Sequence, residues 1–140
     1  MGDRVQSIEV KTFKNELRNY AYYKQRLVSL SELIDFCFDM LPGSVHGIDP
    51  GKEPSHSLPD KEREYRVRDE IEHHEKNLRR TREKIEYIDE ILAKIERPLR
   101  TAIIAIYVEG KRVDATAAEY FLSPMGLSKR INKAIENALK

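Results

Sequence analysis

Toward the C-terminus, Met125, Ser128, Lys129, Asn132 and Lys133 follow one another at steps of three and one, a spacing that sets them on one face of an α-helix. Their chemistry is that of contact rather than turnover. The hydroxyl and the amide can donate and accept hydrogen bonds, and the two ammonium groups attract anions. Ser123 stands directly before Pro124, and the pair suits a helix start, because a serine side chain accepts from exposed amides and proline tolerates the first helical position. Such side chains along a helix are what a reader of the DNA major groove requires, with amides and hydroxyls for base edges and cations for phosphates.

Two other groups of reactive side chains point nowhere so definite. His73-His74-Glu75, with His46 and His56 further off, holds metal-ligating types, but adjacent helical residues diverge by about 100°. No Cys pair or closely spaced His/Asp set completes a coordination sphere, so no metal site is expected, and His74 reads as a polar residue in a helical seam. The single cysteine, Cys37, lies in the apolar run LIDFCFDML. It excludes a disulfide framework and reads as a small buried hydrophobe. Gly-rich phosphate loops, Gly-x-Ser-x-Gly and carboxylate pairs in an apolar, buried-looking setting are missing from the sequence, so neither enzymatic activity nor a cofactor is expected.

The elements that must position the C-terminal face are helical throughout. From Phe13 to Leu41 the positions Phe13, Leu17, Tyr20, Leu27, Ile34, Phe38 and Leu41 form a heptad stripe, with Lys24 and Ser31 filling two seam positions. A second register, Val67, Ile71, His74, Leu78, Thr81, Ile85, Ile88, Leu92 and Ile95, runs without a slip. Between them, PGSVHGIDPGKEPSHSLP is rich in breakers and has no apolar face, so the chain reverses across residues 42–59. The expected fold class is therefore all-α: a long antiparallel, coiled-coil-like helical hairpin over residues 1–97, then a three-helix unit over 98–140. Pro98 ends the second long helix and opens the next, Glu109-Gly110 closes that one with a left-handed cap, and two more helices span Asp114–Tyr120 and Pro124–Ala138. In the last, Leu127, Ile131, Ala134, Ile135 and Ala138 share a face expected to pack on Ile103, Ile104, Tyr107 and Val108.

The two stripes differ in width. The second helix is charged nearly everywhere off its seam, whereas the first adds Val28, Leu30, Leu33, Phe36, Cys37 and Met40, more apolar surface than one narrow partner covers. Self-association through Leu30, Leu33 and Phe36, with a dimer favoured, is the simplest expected remedy, and a protein partner is the next.

Composition bounds the rest. A chain of 140 residues suits one domain with an appendage, and its 25 Lys+Arg against 24 Asp+Glu leave no global basic field. The local balance is different. Residues 111–140 carry six Lys/Arg against three acids, an excess of +3, and on the outer face of the last helix Glu136 is the single acid. No export signal or membrane-spanning run is read in the sequence, so a cytoplasmic location and no membrane partner are expected.

These features converge on one resemblance. YVEGKRVDATAAEYFLS, followed by LSKRINKAIENAL, resembles the helix-turn-helix of sigma-70 region 4 in the version that closes small phage regulators of the ArpU and RinA type, with Tyr107, Glu109, Gly110, Ala117, Glu119, Ser123, Ala134 and Ile135 in step. The likeness implies a bacteriophage or prophage transcriptional regulator in a bacterial host cell, binding double-stranded DNA through Arg112, Ser123, Met125, Ser128, Lys129, Asn132 and Lys133, with host RNA polymerase as a further partner. Thr116 replaces a buried aliphatic residue of that pattern, Arg112 replaces a Ser or Thr cap, and Phe121 stands where the pattern has its turn glycine. A bulky residue is strained at positive φ, so a turn of another geometry is expected there. Gly126 is expected to cost up to about 1 kcal/mol of helix propensity. Two further classes share the architecture: a phage small terminase subunit, which requires a large ring, and a helical adaptor that binds no DNA.

Overall fold

The computed structural model of the chain describes residues 7–41 and 60–140, and all of its regular elements among these residues are helical. They are α1 (Ile8–Arg18), α2 (Tyr20–Asp39), α3 (Asp60–Ala93), α4 (Arg97–Ile103), a π-helical turn (Ile104–Val108), α5 (Val113–Glu119) and α6 (Pro124–Leu139). The fold class is all-α, as read. The reversal assigned to residues 42–59, with His46 and His56 in it, lies outside the described residues. Among the described residues, no helix is long and apolar enough to cross a membrane.

Contacts divide the chain into two compact units, residues 1–23 with 84–140, and residues 24–83. The break expected before Pro98 is present as a helix boundary: α3 stops at Ala93, and Pro98 sits in the first turn of α4. The compact units follow a different line from the 97/98 division, because α1 packs against α6 and against the π turn and so draws the N-terminal residues into the unit that contains the C-terminal helices.

In that first unit, Ser7 caps α1 by accepting from the Val10 amide at 3.2 Å. Val10, Phe13 and Leu17 of α1 are buried, together with Ile88, Ile91 and Leu92 at the end of α3 and Ile95 just after it. Phe13 meets Tyr87 edge to face, ring centroids 6.2 Å apart, Glu16 pairs with Lys84 at 3.7 Å, and the Tyr23 hydroxyl donates to Glu16 at 2.8 Å. Leu127, Ile131, Ile135 and Ala138 of α6 are buried, with Ala134 half-buried. Their helix packs against α1, α5 and α4, so α1, which also packs against the π turn, joins the platform expected from Ile103, Ile104, Tyr107 and Val108.

In the second unit, Leu30, Ile34 and Cys37 of α2 are buried, as are Val67, Ile71 and Thr81 of α3. Cys37 packs with Val67 and Ile71, and Leu41 joins them. Burial and the neighbouring Glu70 carboxylate push the Cys37 thiol above its ordinary value, leaving it a poor nucleophile.

The α3 stripe follows the sequence reading: each of its nine positions from Val67 to Ile95 is buried or half-buried. The first stripe does not. It was expected as one helix, but α1 ends at Arg18 and α2 begins at Tyr20, with Asn19 between them. Lys24, Ser31 and Phe38 are exposed, and Tyr23, Leu30 and Cys37 are buried in their stead. Leu17, Tyr20 and Tyr23 make two successive steps of three, so the interruption at Asn19 shifts the phase of half the seam by one residue. A consequence concerns Leu30, assigned above to self-association. It is only 4% exposed and belongs to this chain's own core, whereas Leu33 and Phe36 are exposed at 44% and 62%.

Candidate nucleic-acid interface

The segment from Ile104 to Pro124 positions α6 through two left-handed residues. The first is Gly110, at φ +76°. Here the helix widens before ending: the Glu109 amide donates to the Ile104 carbonyl and the Lys111 amide to that of Ala105, each at 2.9 Å. A π turn of this kind inserts one residue into the helical register, and Tyr107 lies within it.

Phe121 is the second, at φ 59°. The turn therefore keeps the geometry ordinarily given to glycine, against the expectation of a different one. Its hydrogen bonds explain how: Leu122 donates to Ala117 at 2.9 Å and Phe121 to Ala118 at 3.1 Å, the paired bonds of a Schellman motif, which satisfy carbonyls that a helix end leaves open. The ring stands 95% exposed, so it adds no clash with other elements to the strain of its own backbone. Thr116, in place of an aliphatic residue, is buried and donates its hydroxyl to the Arg112 carbonyl at 2.8 Å, so its polarity is satisfied within α5.

Ser123 caps α6 as read, accepting from the Gly126 amide at 2.9 Å. Gly126 has a reason beyond helix propensity. A Cβ there would lie 2.9 Å from the Ser123 hydroxyl, too close for the cap to hold its place, so glycine and serine are coupled.

At 100° per residue, Met125, Lys129, Lys133 and Glu136 span about 80° of the outward side of α6, and all four are exposed. Ser128 and Asn132 lie on one flank of that face, both half-buried. Asn132 is engaged there: its side-chain carbonyl accepts from the ammonium group of Lys14 on α1. Lys14 is 5% exposed, and burial, with a smaller contribution from the Arg18 charge, holds its amine down at about 8. Its nitrogen lies 5.3 Å from the centre of the Tyr107 ring, and the Arg18 guanidinium 5.4 Å from the same ring, both favourable cation–π distances. Burial raises the Tyr107 phenol above its ordinary value despite Arg18, so the ring meets both cations as a neutral phenol.

On the opposite flank, Arg130 and Lys133 border an open groove that also takes in Lys94. Arg112, the remaining expected contact, is exposed and bonded to Asp114 at 3.1 Å. Among the described residues, none of Lys129, Arg130 and Lys133 is held in an ion pair, so their charges stay open to a ligand. The sequence reading passed over Arg130 and Lys94. Arg130 could have been found from its position three residues before Lys133, but Lys94 is brought in by tertiary packing alone.

Among the described residues no group of His, Cys, Asp and Glu is placed to hold a metal ion. No protein-family model matches the chain, and neither a curated protein nor a solved structure matches it.

Proposed function

We propose that this protein is a phage or prophage transcriptional regulator that binds double-stranded DNA through α5, the Phe121 turn and α6 as a helix-turn-helix. The observation that carries the reading is α6 itself: buried along one side, capped by Ser123, and presenting Met125, Lys129 and Lys133 outward with no internal counter-ion among the described residues. Lys129 and Met125, in the first half of the helix, face the bases. Lys133 and Arg130 face phosphates, with Ser123, Ser128 and Arg112 at the edges of the contact. Asn132 acts by way of Lys14, which fixes its amide. The wider assignment draws on the likeness of residues 107–135 to phage regulators. It includes contact with host RNA polymerase, a bacterial cytoplasmic setting, the absence of enzymatic turnover, and a dimer built on Leu33 and Phe36.

Fluorescence anisotropy with a random-sequence duplex across salt concentrations tests this directly. Affinity should fall steeply as salt rises, and Lys133→Gln should flatten the slope by about 0.9 for its lost phosphate. On a selected site, Lys129→Ala should cost on the order of 1–3 kcal/mol with little effect on random duplex. Absence of affinity even at low salt would return the protein to the adaptor class, and a ring of many copies would place it with packaging proteins.

A further inference from the structure

The groove beside α6 holds more than cations. It has a volume of about 410 Å³, within the range of small-molecule sites, roughly 300–1,000 Å³, and several times the size of a bare phosphate. Lys94, Arg130 and Lys133 contribute positive charge and Glu96 a single negative one, so the lining carries a net charge of +2. The Lys94 ammonium donates to the Ala138 carbonyl at 3.5 Å, which leaves further donors free. Ile95, Leu99, Ala134 and Ala138 supply an apolar wall. A ligand that satisfies both must be anionic at one end and flat or apolar at the other.

We infer that this groove seats one nucleotide unit, its phosphate against Lys94, Arg130 and Lys133 and its sugar or base over the apolar wall. The Glu96 carboxylate and the Asn137 amide add an acceptor and donors for hydroxyl or amino groups of the ligand. A bare phosphate would leave the wall unused, and a purely apolar ligand would leave three cations uncompensated. The nucleotide can come from two sources, a strand of the duplex bound by α6 or a free mononucleotide. For the first, the inference rests on the DNA reading above.

The intact chain serves for the test, with three probes: a fluorescein-labelled random-sequence duplex, dAMP and inorganic phosphate. The variants are Arg130→Gln, its combination with Lys94→Gln, and Ala134→Phe to fill the groove. Because Lys94 also holds the end of α6, Arg130→Gln alone and Ala134→Phe stand as checks, each confirmed as folded by circular dichroism. If a DNA strand is the occupant, the double variant flattens the logarithmic salt slope of duplex binding by about 0.9, and Ala134→Phe weakens that binding. If a free nucleotide is the occupant, dAMP shifts the methyl resonances of Ala134 and Ala138 saturably, Arg130→Gln abolishes both shifts, and Ala134→Phe abolishes that of Ala138. A slope unchanged in the double variant, together with methyls that dAMP leaves unmoved, overturns the inference while the DNA reading stands. Inorganic phosphate acting as strongly as dAMP also overturns it, since the wall would then have no role. A parent chain without duplex affinity sinks the DNA reading alone, and the dAMP result then decides the groove.

Discussion

Lys14 illustrates how one side chain can link elements far apart in sequence. Its amine is held at about 8 in the folded chain against an ordinary 10.5, chiefly by burial. The folded chain therefore gives up this proton before the unfolded chain does, and between those values the unfolded state binds more protons. Stability should rise with pH across that window, by on the order of 2 kcal/mol between about pH 7 and about pH 9.5. Urea unfolding of the parent at the two pH values should show the rise, and Lys14→Met should remove most of it. Equal pH dependence in both proteins would mean that the amine is not held in its neutral form. Phe121 gives the opposite lesson. Its ring is exposed and its backbone left-handed, a conformation that costs roughly 1–2 kcal/mol for a residue with a side chain. Phe121→Gly should accordingly raise stability by about 1 kcal/mol in thermal melts, and a loss of stability would show that the ring packs on something. Both features were hidden in the sequence for a physical reason. A lysine on α1 meets an asparagine 118 positions later, a contact that only tertiary packing creates, and the left-handed turn is set by hydrogen bonds to Ala117 and Ala118 that override the preference of the residue.

At the scale of helices, the seam of α3 could be read from Val67 to Ile95 because nothing interrupts its repeat and its other faces are charged. The seam of α1 and α2 could be read only in part. Tyr20, Leu27, Ile34 and Leu41 keep their places, but the interruption at Asn19 moves the alternate positions from Lys24, Ser31 and Phe38 to Tyr23, Leu30 and Cys37. A periodicity argument carried across a break accumulates that slip silently. The slip leaves Leu33, Phe36 and Met40 exposed within about 60° of arc beside the buried seam, with Glu32, Asp35 and Asp39 beyond them. A dimer on this strip would bring like charges together, so its association should tighten as salt screens them. Leu33→Lys combined with Phe36→Lys should lower the mass seen by light scattering while leaving the melting temperature nearly unchanged, because both side chains are exposed. Leu30→Ala should behave differently, costing about 2–5 kcal/mol as a core truncation. A parent that stays monomeric at high concentration would end the dimer proposal. The π turn at Ile104–Val108 had no signal in the sequence at all: its residues, IAIYV, are those of any buried α-helix.

For the molecule as a whole, the first unit is discontinuous in sequence, built from residues 1–23 and 84–140. Where the two segments end, they touch: the Lys84 ammonium lies 3.4 Å from the Tyr23 hydroxyl and 5.1 Å from the centre of its ring. Residues 24–83 thus leave and re-enter the first unit through neighbouring positions, in the manner of an insertion. Replacing residues 24–83 by a short glycine-containing turn should leave a folded protein with α6 in place, seen as a cooperative melt and preserved helicity. Loss of folding would mean that the second unit supports the first. Removing residues 1–23 should instead unfold α4 to α6, since Val10, Phe13 and Leu17 help to form their core. Lineages of such a chain could lengthen or shorten the inserted segment by matched heptads in α2 and α3, each exchange preserving both seams, while the basic face of α6 stays as it is. The size of the second unit and the charge on α6 would then be separately adjustable quantities, one counted in turns of helix and the other in lysines and arginines.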